Sequence, residues 1–354
     1  MRFTAEKAPL LRAATEASLA VRRSDSAVLD CLQIVADDRL RLYGSCRDIE
    51  VRAEAKAGVL SQGVTLVNSR DFKAIVSATP NNTSLTVEAK DDALEINGLG
   101  IEAKLMTIPA DSFPSLTPDR EMAEVIGGAD ALALCAPFAA KEEARFHMRG
   151  VCIDGDYAVA GDGPRIASLP IQCDQKGAII PLESIPLVRK LIGQDGRLWV
   201  GPSTWRLEAE WVQAAGRLID GQFPERWRQI MPDGEGLFTA HTADLIGACN
   251  ASTLSRAEWL VIKASGGCLF LSGDKFGGVL AVSNIQCPAT VRKDFCAVVT
   301  ARYFKSTIEA FGDQEIALSG ASGRLRFDAE SGLSAAMMTL RDNRNSLPET
   351  SKAA

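Results

Sequence analysis

Histidine is almost absent from this chain. Only His147 and His241 occur among its 354 residues, and neither has a His, Asp or Cys at the spacing of a metal ligand. Histidine is the commonest general base, so its scarcity argues against acid–base catalysis. The nine cysteines include no CxxC pair, which predicts reduced, mostly buried thiols without disulfides or zinc. We therefore expect no enzyme, no metal and no cofactor.

Long apolar runs are also missing. No run approaches the roughly 18 residues that a membrane-spanning helix needs. The amino terminus, MRFTAEKAPLL, lacks the apolar core of a signal peptide, so we expect a cytoplasmic protein. The polar, aperiodic residues 341–354 are predicted to form a disordered tail.

What the chain does contain is one pattern written three times. The segments VNSRDFKAIVSA, IPLESIPLVRKL and VTARYFKSTIEAF each read as a strand end, a helix start and an apolar anchor. The helix starts are Asn68, Pro181 and Thr300, about 115 residues apart, whereas solenoid repeats have periods of about 20–50 residues. The repeat therefore predicts three copies of a whole domain. The anchors are Phe72, Ile185 and Phe304.

Each copy has the same predicted order of elements. A helical stretch (7–22, 129–146 or 242–258) precedes three strands, and the second helix precedes three more. Alternation such as Arg39-Leu40-Arg41-Leu42 is typical of strands buried on one face. The fold class is α+β, with two helices packed on one face of a sheet in each copy. Predicted domains are 1–118, 119–234 and 235–340, followed by the tail. The glycines that end the second strand of each copy are Gly44, Gly161 and Gly273.

The charge is unevenly distributed. The chain carries a formal net charge of −6, yet its six predicted helices together carry a positive excess. Such helices could face a polyanion, or they could be ordinary solvated surfaces. Charge alone leaves both interpretations open.

Four segments resemble the bacterial sliding clamp, the β subunit of DNA polymerase III. They are MRFTAEKAPLL, AKLMTIPADSFPSLT, RGVCIDGDYAVAGDGPRIA and RLIDGQFPERWRQIMP. The resemblance runs in order from residue 1 to about residue 340. It implies a homodimer closed head to tail, in which helices line a hole around duplex DNA and a tethered replicative polymerase becomes processive. No base readout is needed, because phosphate contacts are independent of sequence. The implied DNA-contacting cations are Arg22, Arg23, Arg70, Lys73, Arg189, Lys190, Arg302 and Lys305.

The resemblance also implies a groove that takes short linear peptides from polymerase and clamp-loader subunits. Several of its implied walls are Met, Ile or Leu, an adaptable apolar lining for a peptide. The alternative is that these residues are only the seam between the second and third domains. The implied walls are Met148, Gly161, Asp162, Gly163, Arg165, Ile166, Pro224, Ile230, Arg324, Met338 and Leu340.

Departures from the family pattern keep a second function open. Pro164 replaces a family histidine beside the groove, and Gly100 and Glu102 replace arginines at the ring-closing edge. Ser252 and Thr253 replace an apolar pair at that edge. The leading prediction is a working sliding clamp. The alternative is a clamp-like paralogue that binds polymerase or loader peptides without forming a stable ring.

Overall fold

A computed structural model describes residues 1–22, 26–193, 195–253, 257–274 and 284–347. The chain divides into two compact units, each of which packs mainly against itself. Unit 1 comprises 1–126 and 183–218, and unit 2 comprises 127–182 and 219–354. No helix of the described residues is long and apolar enough to cross a membrane.

Six α-helices lie in the described residues, two in each copy of the repeat. The second helices carry an amphipathic pattern, and their anchors Phe72, Ile185 and Phe304 are buried, as predicted. Asn68 caps its helix by accepting hydrogen bonds from the amides of Arg70 and Asp71. The helices are α1 (Lys7–Ala17), α2 (Ser69–Ala78), α3 (Gly128–Cys135), α4 (Ile185–Ile192), α5 (Thr242–Ser252) and α6 (Ala301–Ala310).

Two helix predictions need correction. The stretch 129–146 forms only the short α3, because Pro137 lacks an N–H and ends the α-helical hydrogen bonding. The 3₁₀ turns Ala136–Phe138 and Glu143–Met148 follow it. The second helix of copy 2 begins after Ser184 and not at Pro181, since residues 182–184 form a turn.

The described residues of the first copy form nine strands, more than the six predicted. The additional β1 pairs with β7 and β5, and the chain segment before α2 forms β5 and β6. The strands are β1 (Arg2–Glu6), β2 (Cys31–Ala36), β3 (Leu40–Ser45), β4 (Ile49–Ala55), β5 (Ala57–Ser61), β6 (Gly63–Asn68), β7 (Ser84–Lys90), β8 (Ala93–Gly98) and β9 (Ile101–Ile108).

The other two copies repeat this order in outline. Their first strands, β10 and β18, pair with the first strand of the second half of the same copy, as β1 does. In copy 2 the strands are β10 (Ala123–Glu124), β11 (Gly150–Asp154), β12 (Tyr157–Gly161), β13 (Arg165–Pro170), β14 (Lys176–Pro181), β15 (Arg197–Val200), β16 (Thr204–Ala209) and β17 (Val212–Arg217). In copy 3 they are β18 (Glu235–His241), β19 (Trp259–Ser265), β20 (Cys268–Asp274), β21 (Ile285–Cys287), β22 (Thr290–Val291), β23 (Phe295–Thr300), β24 (Glu315–Ala321), β25 (Arg324–Ala329) and β26 (Ser334–Met338).

The copies are joined through their sheets. β4 of copy 1 pairs antiparallel with β17 of copy 2 inside unit 1, and β13 of copy 2 pairs with β26 of copy 3 inside unit 2. In the part of the chain that the structure describes, the resulting sheets have thirteen and nine strands. The third strand predicted for the first half of copy 3 falls in residues 275–283, outside the described residues.

Two of the repeated glycines allow a strand to approach a helix end. A Cβ on Gly44 would lie 2.0 Å from the carbonyl oxygen of Ala17, and one on Gly273 would lie 2.0 Å from that of Ser252. Gly161 differs, since the nearest atom to its Cβ would be the Arg165 carbonyl oxygen at 3.0 Å. Strand and helix can therefore touch in copies 1 and 3 only without a side chain at this position.

We expect Gly44→Ala to lower the free energy of unfolding by about 3 kcal/mol, because the backbone must move to relieve the overlap. Gly247→Ala is the matched control, since its Cβ meets no atom within 4 Å in α5. Alanine there should be neutral or stabilising by up to about 1 kcal/mol. Urea unfolding measures both, and equal midpoints for the two variants would contradict the close approach.

Asp119 fixes the connection between copies 1 and 2. Its carboxylate accepts hydrogen bonds from the amide and hydroxyl groups of Ser203 and Thr204, at 2.7–2.8 Å. Burial acts to raise the pKa of Asp119, but these hydrogen bonds outweigh it and hold the pKa below its usual value. The carboxylate therefore stabilises the fold above the unfolded-state pKa, and this contribution is lost as pH falls through the lowered pKa.

We expect Asp119→Asn to reduce the free energy of unfolding by about 1–2 kcal/mol at pH 7. The difference from wild type should shrink as the pH falls from the unfolded-state pKa of about 3.9 through the lowered pKa of the folded protein, because Asp119 is then protonated in both states. Thermal unfolding at several pH values measures this. A difference that stays constant with pH would mean that the charge of Asp119 contributes nothing.

Residues 341–347, part of the predicted disordered tail, make specific hydrogen bonds to the third copy. The amide of Val298 in β23 donates to Asn345 Oδ1 at 2.8 Å, and Ser346 exchanges two hydrogen bonds with Cys296. Arg344 binds Asp274 at 2.8 Å. Asn345 and Ser346 therefore satisfy backbone groups of β23 that a neighbouring strand would otherwise bind. Amino-acid composition alone does not reveal this role. Residues 348–354 lie outside the described residues.

Candidate nucleic-acid interface and peptide groove

Among the described residues, five of the predicted DNA-contacting cations belong to unit 1. Arg22 is exposed, and its Nη2 donates to the carbonyl of Glu183, just before α4, at 3.4 Å. Arg70 and Lys73 of α2 line a hollow of about 430 Å³ together with Ser18 and Val21, which follow α1. We call the five residues the unit 1 basic surface: Arg22, Arg70, Lys73, Arg189 and Lys190.

Helix α4 supplies the other two cations of this surface. Arg189 and Lys190 occupy its last turn and are exposed, where cations also interact favourably with the helix dipole. Burial raises the pKa of Glu16, and the charges of Arg12 and Lys190 act against this rise. Lys190 therefore lies close enough to α1 to influence a buried carboxyl of that helix.

The unit 1 basic surface is not uniformly positive. Asp30 and Asp71 line the same hollow as Arg70 and Lys73, so that hollow has little net charge. The positive excess comes from Arg22 and the α4 pair. Arg23 lies outside the described residues.

Arg302 and Lys305 belong to α6 in unit 2. Arg302 is exposed, and its guanidinium lies 4.7 Å from the ring centroid of Tyr303. Lys305 Nζ lies 3.8 Å from Glu309 Oε1, one turn along the helix. An exposed ion pair of this type contributes little to stability in water. Arg302 and Lys305 therefore both remain available to an anionic ligand.

The predicted groove residues come together only in part. Met148, Ile166 and Ile230 pack with buried Phe223 and Trp227 in one apolar cluster of unit 2. A Cβ on Gly161 would lie 3.4 Å from the end of Met148, so this glycine forms part of the same wall. We call this arrangement the unit 2 groove.

Other predicted residues form the rim of the groove. The amide of Met338 donates to the carbonyl of Pro164 at 3.0 Å, and the Met338 side chain is 52% exposed. Arg324 pairs across the ladder with Met338, and its guanidinium donates to the Gln229 carbonyl at 2.9 Å. Pro224 accepts the amide of Trp227 in the turn that carries Ile230.

The side chains of Arg165 and Asp162, two further predicted groove residues, are bound to each other. The Arg165 guanidinium is buried and makes two hydrogen bonds to Asp162 Oδ2, at 2.7 and 3.0 Å. It also donates to Ser306 at 2.7 Å and stacks on Phe138 and Tyr303. Its structural role is to tie the β12–β13 turn to α6.

Two other predicted residues have mainly backbone roles. Leu340 donates its N–H to the Val298 carbonyl at 2.7 Å and accepts from Asn345 at 2.6 Å. Gly163 has φ +101°, and a Cβ there would lie 2.6 Å from the Arg145 guanidinium. Glycine is therefore required by the turn itself.

Sequence reasoning missed the floor of the groove. Trp227 is 3% exposed, and its Nε1 donates to Asp154 Oδ2 at 2.8 Å. Tyr157 meets its ring edge-on at 5.6 Å. The signal that could have revealed it was the FPERW segment, in which Phe223 and Trp227 lie four residues apart and point to the same core.

One residue of the predicted ring-closing edge makes its contacts inside its own copy. Ser252 is fully buried and donates to the carbonyls of Ala248 and Leu271, at 2.7 and 3.0 Å. Its hydroxyl satisfies the end of α5 and is not free to bind a partner. No cluster of metal-ligand residues occurs in the part of the chain that the structure describes.

Comparison with known proteins gives the class to which this fold belongs. The chain superposes on the DNA polymerase III subunit beta of Pseudomonas aeruginosa with a TM-score of 0.86, covering 97% of this chain and 100% of that one at 19% identity. The chain therefore has the sliding-clamp fold, in which an α+β clamp domain occurs in three tandem copies, and the predicted fold class is confirmed.

The sequence comparisons find similar proteins of the same class. Residues 1–117 match the family model described as DNA polymerase III beta subunit, N-terminal domain. The chain is 27% identical over 263 residues to the beta sliding clamp of Caulobacter vibrioides, covering 68% of this chain and 71% of that protein. It is 26% identical over 250 residues to that of Vibrio cholerae, covering 66% and 68%. The family model covers the first copy of the repeat, and over about two thirds of its length the chain is similar to the beta sliding clamps of these bacteria.

Proposed function

We propose that this protein is a DNA sliding clamp, a ring that encircles duplex DNA and tethers the replicative polymerase. It performs no chemical step. The unit 1 basic surface and the α6 cations contact phosphates without reading bases, which allows sliding. The unit 2 groove holds a short apolar peptide of the polymerase or the clamp loader.

The observation that carries this proposal is the pairing between copies. β17 and β26, the last strands of copies 2 and 3, each pair with the third strand of the preceding copy's first half. β9 is their equivalent in copy 1, and residues 101–106 of β9 pair only with β8 among the described residues. Leu99 and Met106 beside this edge are 78% and 73% exposed. A second copy of the chain would complete the series and close a ring head to tail.

Tethering follows from this topology. A polymerase peptide in the unit 2 groove stays near its template because the ring cannot leave closed DNA. Its effective concentration is then set by the tether and not by dilution, so a weak peptide contact suffices.

A threading experiment tests encirclement without a loader. The protein is incubated with linear duplex that has biotin at both ends, and streptavidin then blocks the ends. Gel filtration in 0.3 M salt removes protein held by charge alone, because phosphate contacts weaken steeply with salt. We expect retention only on blocked duplex. Equal loss from blocked and open duplex would refute encirclement.

Sedimentation velocity distinguishes the ring from the clamp-like paralogue. We expect a dimer at micromolar concentration. A monomer that still binds a groove peptide would favour the paralogue without a stable ring.

A further inference from the structure

The hairpin between β16 and β17 carries a tryptophan where its counterparts carry glycine. The β8–β9 turn contains Gly100 with φ +75°, and the β25–β26 turn contains Gly332 with φ +85°. The turn of copy 2 is Glu210-Trp211, and neither residue has positive φ. Turns favour small or polar residues, so turn formation does not explain an indole at this tip.

Trp211 forms one wall of a hollow of about 330 Å³ in unit 1. The other walls are Ala8, Pro9 and Arg12 of α1, and Lys56, which joins β4 to β5. This volume is at the lower end of the range of about 300–1,000 Å³ that is typical of ligand pockets. It is sufficient for one apolar side chain.

Two cations border the indole. The Arg12 guanidinium lies 5.5 Å and the Lys56 ammonium 5.4 Å from the Trp211 ring. Arg12 is already bound to Glu16 at 2.8 Å and to the Glu54 carbonyl at 2.7 Å. Lys56 is exposed and makes no ion pair among the described residues.

Two carboxylates near this hollow are already bound to arginines. Glu16 is 7% exposed and paired with Arg12, and Glu54 is bound by Arg39 and Arg52 at 3.1 and 2.9 Å. Glu210 precedes Trp211 in the chain and is exposed. The free cation in contact with the indole is therefore Lys56.

We propose that this hollow docks a short acidic peptide segment of a partner protein, with one apolar side chain against Trp211 and a flanking carboxylate on Lys56. The site lies in unit 1, whereas the peptide groove lies in unit 2, so it is a second docking surface. A single nucleic-acid strand fits less well, because it needs a row of cations along its backbone, and this hollow is walled mainly by Ala8, Pro9 and Trp211.

The test uses protein in which the tryptophans are replaced by 5-fluorotryptophan, observed by ¹⁹F NMR. Trp211→Phe assigns the Trp211 resonance, and Trp227→Phe assigns the resonance that reports on the groove. The probe is a hexapeptide with a leucine–phenylalanine pair flanked on each side by two aspartates. The control peptide has asparagine at those four positions.

We expect the acidic peptide to shift the Trp211 resonance saturably and the amide peptide to bind at least fivefold more weakly. Lys56→Glu should weaken binding at least fivefold, because the new carboxylate repels the aspartates of the peptide. Glu210→Lys should strengthen binding about threefold, because it adds a cation. Both residues are exposed, so neither change disturbs the packing of the fold. No Trp211 shift at millimolar peptide, equal binding of both peptides, or a shift confined to Trp227 would overturn the proposal. A Trp211 shift caused by oligothymidylate and not by the peptide would also overturn it.

Discussion

Replacing Ile230 with aspartate should weaken peptide binding to the unit 2 groove at least 100-fold. Ile230 packs with Met148 and Ile166 against the cluster that contains Trp227. The substitution removes about 2 kcal/mol of apolar contact with the peptide. It also leaves a carboxylate that must be desolvated when a peptide covers it, which costs more. A loss of about 3 kcal/mol corresponds to a factor of more than 100 in Kd.

Fluorescence anisotropy with a fluorescein-labelled peptide containing adjacent leucine and phenylalanine measures this loss. Ile126→Asp is the matched control, since Ile126 is 58% exposed and belongs to unit 1. It introduces the same charge without touching the groove and should leave Kd within about twofold of wild type. If Ile230→Asp also binds within twofold of wild type, the groove is only a seam in the fold.

Reversing four cations of the unit 1 basic surface should sharply weaken the binding of duplex DNA. The substitutions are Arg70→Glu, Lys73→Glu, Arg189→Glu and Lys190→Glu, which change the charge of each chain by −8. Each lost phosphate contact removes about one unit from the slope of log K against log salt, and the new carboxylates repel the duplex. We expect affinity for DNA at 0.1 M salt to fall more than 100-fold, at a similar midpoint of urea unfolding.

The matched control reverses four exposed cations outside the helices: Arg120, Lys176, Arg217 and Lys263. This variant has the same net charge as the first. If both variants lose DNA equally, net charge alone governs binding and the helices do not face the duplex. If the control retains DNA at near wild-type levels, the location of the charge is decisive.

Repetition made much of the fold predictable. Asn68 and Thr300 precede their helices as expected, because each ends an apolar strand at an N-cap position. The side chain of Asn68 caps its helix, whereas that of Thr300 makes no capping hydrogen bond. The same pattern predicted a helix start at Pro181, which is wrong, since a three-residue turn separates the strand from α4. The helix predicted for 129–146 is shorter than its apolar spacing indicates, because Pro137 ends the α-helical hydrogen bonding.

The candidate site was predictable where its residues are close in sequence or apolar. Met148, Ile166 and Ile230 pack together because apolar side chains near one seam share a core. The binding of Arg165 to Ser306 and its stacking on Tyr303 could not be predicted, since these partners are about 140 residues away in the chain and their approach depends on tertiary packing. The Trp211 hollow could not be predicted for the same reason, since its walls come from α1, the β4–β5 connection and a hairpin of the next copy.

The sheets that cross from copy to copy also determine how the chain should come apart. Cutting after residue 118 would separate β4 from β17 and divide a thirteen-stranded sheet. The compact units are displaced from the sequence repeat by half a copy, since unit 1 contains the second half of copy 2 and unit 2 contains its first half. Evolutionary duplication and cooperative unfolding therefore have different boundaries in this protein. A single excised copy would expose a cut sheet edge and is expected to aggregate instead of folding alone.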